Sequence, residues 1–146
     1  MRRMVAAGFG SGLLARRLWG SDTGAGTLGA LVAVAIGLVL LPSPWWIDLG
    51  VALVAVAISM WATAPMTDDP GWVSIDEIAG TLVAMVGLAG IPWVAAVVVA
   101  RLLDIFKIAP GVAAAESLPP PLGITADDVV AGLYGLAVGW LITWLR

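Results

Sequence analysis

The chain has 146 residues, enough for one domain, of which 61% are hydrophobic and only 12% charged. A soluble domain carries about 25% charged residues, so lipid is the better solvent for this chain and a soluble bundle the poorer reading. It contains no Cys and no His, which excludes disulfides, thiol and phosphohistidine nucleophiles and imidazole metal ligands and leaves seven Lys/Arg and ten Asp/Glu, net charge −3, to carry any chemistry.

Met1-Arg2-Arg3 and the apolar run to Ala15 have the outline of a signal peptide. That run is rich in Gly and ends at Arg16-Arg17 rather than at a small-residue cleavage site, so it is read as retained. A Gly-rich stretch then leads into a first apolar helix, about 28–41, stopped by Pro42-Ser43-Pro44. Trp45-Trp46 open a second, about 45–62, as interfacial aromatics do. A polar loop with Asp68-Asp69-Pro70-Gly71 reads as a turn. Residues 78–103 are apolar again but broken at Gly90-Ile91-Pro92, and read either as one span or as a hairpin of two short helices, 78–90 and 93–106. A loop with Pro119-Pro120-Pro121 precedes the last helix, about 128–145. The eight Trp residues, Trp19 among them, are assigned to interfaces and packing. The expected fold is therefore all-α, a small polytopic membrane bundle of about five short segments with the polar loops on one face, the whole of 1–146 forming a single domain.

The charge map favours the hairpin. With five segments, fifteen of the seventeen charged residues fall on one face, and only Asp48 and Arg146 on the other. A single span would strand Arg101, Asp104 and Lys107 opposite Asp76-Glu77. Arg2, Arg3, Arg16 and Arg17 make the crowded face cytoplasmic.

Two adjacent acid pairs enter apolar helices: Asp76-Glu77 before Ile78-Ala79-Gly80, and Asp127-Asp128 before Val129-Val130-Ala131-Gly132. They suit helix N-termini, where acids favour the dipole. They equally suit Mg²⁺, which takes hard carboxylate oxygens, water and substrate phosphate. Arg101, Asp104 and Lys107 repeat every three residues, so Asp104 shares a helix face with each cation. Ionisable groups at membrane depth are expensive and usually functional. Arg forks onto phosphate oxygens, Lys offers a point charge, and Asp104 is a further metal ligand. Gly26 and Thr27 open a helix after a Gly-rich loop, a place where backbone N–H groups can meet phosphate, although no Walker sequence is present.

In this order, Gly8-Phe9-Gly10-Ser11-Gly12, Gly26-Thr27-Leu28-Gly29, Asp76-Glu77-Ile78-Ala79-Gly80, Arg101 to Lys107 and Asp127 to Gly132, the motifs resemble the phosphatidylglycerophosphatase A family from about residue 6 to the C-terminus. The resemblance implies an all-helical, Mg²⁺-dependent phosphatase of the bacterial inner membrane. Its substrate would be phosphatidylglycerophosphate, cleaved at the cytoplasmic face to phosphatidylglycerol and phosphate, with no nucleic-acid partner. Asp76, Glu77, Asp127 and Asp128 would be catalytic, and the metal would be held among Asp76, Glu77, Asp104, Asp127 and Asp128; a carboxylate left outside the metal shell, with Asp127 the named candidate, would take the proton of the attacking water. Arg101, Lys107, Gly26 and Thr27 would bind phosphate. Departures fall in loops: Ala25 precedes Gly26-Thr27 where the family has Pro, Ile108-Ala109 follow Lys107 where it has Pro and an aromatic, and Leu122-Gly123 replace a Gly pair. The competing reading is a small ion-coupled transporter or channel subunit, which expects charges spread through the bilayer depth.

Overall fold

The computed structural model describes residues 1–146 apart from the side chain of Trp19, so the assignment of that residue lies outside the described residues. The chain is all-helical. After α1 (Arg2–Ala6) and a short 3-10 turn come α2 (Ser11–Trp19), α3 (Ala25–Leu40), α4 (Trp45–Thr63), α5 (Ile75–Met85), α6 (Gly90–Phe106), α7 (Val112–Glu116) and α8 (Leu122–Trp144). The five long apolar segments are α3, α4, α5, α6 and α8, and α4 and α8 are long and apolar enough to cross a bilayer.

α5 is the axis of the bundle. Every residue of it except Glu77 is buried, with α3, α4 and α8 packed around it. A helix apolar all round belongs in such a place. Its neighbours turn small residues inward: Ala33 on α3, Ala52 and Ala55 on α4. Their large side chains, such as Leu31, Leu38, Leu53, Val54 and Leu141, point outward and are exposed. α5 and α8 meet backbone to backbone. A Cβ on Gly80 would strike the Asp128 carbonyl, and one on Gly132 would strike that of Gly80. Only residues without side chains allow so close a crossing.

The hairpin between α5 and α6 is present, but its bend lies earlier than Gly90-Ile91-Pro92. The chain turns at Val86–Ala89, with Gly87 at φ 66°. Pro92 falls in the first turn of α6, where its missing N–H removes no helical hydrogen bond. Two side chains from other helices hold the bend. Asp48 accepts a hydrogen bond from the Gly87 N–H at 3.1 Å, and the Trp140 indole N–H donates to the Val86 carbonyl at 3.3 Å. The last helix begins at Leu122, six residues before the boundary read from the sequence. Pro121 serves as its N-cap, as suits a residue with no N–H to lose.

The N-terminal segment clasps the start of α5. The Ser74 N–H donates to the Ala6 carbonyl at 3.0 Å, and the Ser11 and Ser74 hydroxyls pair at 3.1 Å. Arg2 lies over the Trp61 ring and Arg3 over Trp72, at 4.9 and 5.2 Å. Trp45, Trp46, Trp140 and Trp144 are exposed at the opposite end of the bundle.

Candidate active site

The close crossing of α5 and α8 sets the site. Asp76 lies four residues before Gly80, and Asp128 four before Gly132, so each acid shares a face with its glycine, one turn toward the same end. α6 brings Asp104 to the same point, and the loop after it brings Lys107. The result is a cavity of about 460 Å³ that collects Asp76, Glu77, Arg101, Asp104, Lys107, Asp127 and Asp128 with Gly26 and Thr27. Every site residue expected from the sequence is therefore in one place.

Asp104, Asp127 and Asp128 are buried and can each offer one carboxylate oxygen, all within 4.8 Å of one another. Oxygens bound to one Mg²⁺ at ~2.1 Å stand at most ~4.2 Å apart, so these three would draw together to share an ion. Asp127 Oδ1 is buried and has no hydrogen-bond partner among the described residues, and neither has Glu77 Oε2. Such oxygens suit a position where water, an ion or substrate supplies the missing partner. The donor set is hard oxygen throughout, so the residues fit Mg²⁺.

The two cations are tied into this group. Arg101 Nη1 donates to Asp104 at 2.8 Å and stands 3.6 Å from Asp128. Lys107 Nζ donates to Asp104 at 3.1 Å and to Asp127, with Glu116 at 3.9 Å. Burial lowers the Lys107 pKa, but the hydrogen bond to Asp127 and the charge of Asp104 outweigh it, so the pKa is raised and the ammonium keeps its proton. Lys107 occupies the left-handed C-cap of α6 at φ 52°, which turns the chain away while leaving the amine beside Asp104.

Gly26 closes the other wall. A Cβ there would run into the Glu77 carboxylate and come within 3.0 Å of Arg101 Nη2. The first turn of α3 thus lies directly on these two side chains.

The N-capping reading fits the two acid pairs differently. Asp76 and Glu77 lie in the first turn of α5, and Asp76 Oδ1 accepts the Glu77 N–H at 3.0 Å. Asp127 and Asp128 do not cap α8. They are its sixth and seventh residues, beyond the free N–H groups of the first turn. The sequence reading missed Asp69, Glu116 and Asp22, which also line the cavity. In the sequence Asp69 reads as part of a turn, and its only signal is its place on the charged face. Burial and the nearby Asp127 charge raise its pKa to about 6.

Residues 4–143 match the sequence model of the family Phosphatidylglycerophosphatase A. Among curated proteins, the chain is similar to the phosphatidylglycerophosphatase A of Haemophilus influenzae, 28% identical over 97% of this chain and 88% of that protein. It is similar to the Escherichia coli protein of the same name at 27% identity, over 95% and 81%. A Bacteroides thetaiotaomicron protein provisionally named a phosphatidylinositol-3-phosphatase is 28% identical over 97% and 93%. No solved structure matches the chain. With a match over nearly its whole length and the family's charged motifs gathered in one cavity, the chain is an enzyme of the phosphatidylglycerophosphatase A family.

Proposed function

We propose that this chain is a Mg²⁺-dependent lipid phosphatase that cleaves phosphatidylglycerophosphate to phosphatidylglycerol and phosphate in phospholipid biosynthesis. It acts as one domain, integral to the bacterial inner membrane, with its cavity toward the cytoplasm. The observation that carries the reading is the meeting of Asp104, Asp127 and Asp128 with Arg101 and Lys107 at one end of an apolar bundle. The membrane setting is supported by α4 and α8, by the outward apolar side chains and by the Trp residues at the bundle end opposite the cavity. Arg2, Arg3, Arg16 and Arg17 support the cytoplasmic orientation.

Asp104, Asp127 and Asp128 would hold the ion, with Asp76 and Glu77 beside them. When bound, Mg²⁺ supplies a Lewis acid that acidifies water and offsets phosphate charge. Arg101 and Lys107 bind the phosphoryl oxygens and neutralise the charge that grows on them. The N–H groups of Gly26 and Thr27 lie in the first turn of α3, where they lack helical acceptors, and add neutral donors at the positive end of the dipole. Glu77, which lies beside the three-carboxylate group and is not part of it, takes the proton of the attacking water. Asp127 is the less suited base, because it lies in the three-carboxylate group and accepts from Lys107. The transporter reading wants charge along the helices, whereas these groups gather at one end.

The test is phosphate release from phosphatidylglycerophosphate in detergent, with phosphatidylinositol 3-phosphate as the rival substrate. Mg²⁺ should support turnover and chelator abolish it. Asp127→Asn and Asp104→Asn should each lower kcat by about 100-fold or more, the scale of losing a charge-stabilising group. Activity that survives chelation overturns the metal role, and preference for the inositol lipid overturns the substrate.

A further inference from the structure

Beside the catalytic cavity a second concavity of about 510 Å³ runs along α3, lined by Ser21, Thr23, Gly24, Thr27, Leu28 and Leu31. Thr23, Gly24 and Thr27 belong to both. Gly24, Thr27, Leu28 and Leu31 follow the i, i+3, i+4, i+7 spacing of one helix face. That face descends ~10 Å from Gly24 to Leu31 at ~1.5 Å per residue. Polar groups lie at the cavity end and Leu at the other. The opposite face of α3, with Ala25, Gly29, Ala30 and Ala33, is packed into the bundle. Leu31 remains 56% exposed. The outer side of α3 is therefore a groove that is continuous with the site and changes from polar to apolar in the direction away from it.

A molecule with an anionic head and a hydrocarbon tail matches that gradient. We propose that this groove seats one acyl chain of the lipid whose terminal phosphate occupies the cavity, with Leu28 and Leu31 as its specificity-determining residues. The proposal rests on the lipid-phosphatase reading. It makes α3 serve both ends of the substrate: Gly26 and Thr27 meet the phosphate, and the next turns meet the tail. Substrate then reaches the site sideways from the leaflet, without leaving the bilayer.

The experiment uses the full chain in vesicles containing phosphatidylglycerophosphate with a diazirine on one acyl chain. Photolysis is done in chelator, and labelled peptides are mapped by mass spectrometry. Label concentrated on Leu28 to Leu31, and reduced several-fold by Leu31→Trp, supports the groove. Label concentrated on Leu102 and Ile105 of α6, or spread evenly over Leu38 and Ile91, overturns it, as does a second copy of the chain crosslinked over α3 in place of lipid. A kinetic arm compares the diacyl substrate with its deacylated head group. Leu31→Trp should lower the ratio of their kcat/KM values about tenfold, the scale of a lost apolar pocket contact, whereas Leu38→Trp should leave it unchanged. An unaltered ratio in Leu31→Trp overturns the proposal. Failure of the parent chain to cleave either substrate would instead sink the phosphatase reading, and the labelling would still decide the groove.

Discussion

Asp69 shows how the cavity perturbs a residue that the sequence presents as part of a turn. Burial and the negative charge of Asp127 raise its pKa from 3.8 to about 6. Across that interval the folded chain binds more protons than the unfolded one, so stability falls as pH rises and the loss is complete above pH ~6. Asp69→Asn removes the penalty. In chelator and detergent, the Tm of Asp69→Asn minus that of the parent should become more positive between about pH 4 and about pH 7. A difference that stays flat would mean that Asp69 does not feel the cluster. The neighbouring charged residues were legible for a different reason. Asp104 lies three residues from Arg101 and three from Lys107, so spacing alone pairs it with each cation, whereas the approach of Asp69 depends on the path of the loop between α4 and α5, which no local pattern encodes.

The helical elements were readable where composition marks them and obscure where packing decides. Apolar runs and proline stops located α3, α4 and the α5–α6 pair. The bend was misplaced because Gly90 and Pro92 look like a break, while Pro is at ease in a first turn and the real turn is secured by Asp48 and Trp140 from distant helices. The start of α8 was missed because Leu122 to Ala126 carry no strong helical signal of their own. They are held by burial of Gly123, Ile124 and Thr125 and by the Ser59–Thr125 hydroxyl pair at 2.8 Å. At this scale the crossing of Gly80 and Gly132 is the decisive contact. Gly80→Ala and Gly132→Ala should each destabilise by about 1–3 kcal/mol, the usual effect of overpacking, with parallel loss of phosphatase activity. Gly50→Ala is the control, since among the described residues nothing lies within 4 Å of its Cβ position; it should be neutral or stabilising by up to ~1 kcal/mol from helix propensity. Equal thermal stability of Gly80→Ala and Gly50→Ala would refute the role of the crossing.

At the scale of the molecule, the proposed orientation rests on which end carries the charge. The chain has no Cys, so single cysteines report topology without background. Thr67→Cys, on the cavity side, should resist a membrane-impermeant maleimide added outside intact cells, while Ser43→Cys should react. The opposite pattern would put the site outside. The bend pinned between Asp48 and Trp140 bears on the proposed lipid setting. From Met85 at the bend to Asp76 is only ~14 Å of helix, whereas Trp45 and Trp61, at the two ends of α4, are ~24 Å apart. Asp76 is thus held within ~14 Å of the bend, whatever the tilt of α5. In the proposed membrane setting, a head group in a thick bilayer must sink further to meet Asp76 than one in a thin bilayer. Turnover should then climb in vesicles of short-chain lipids relative to long-chain ones; identical rates in both would show that hydrophobic thickness does not gauge the depth of the reaction.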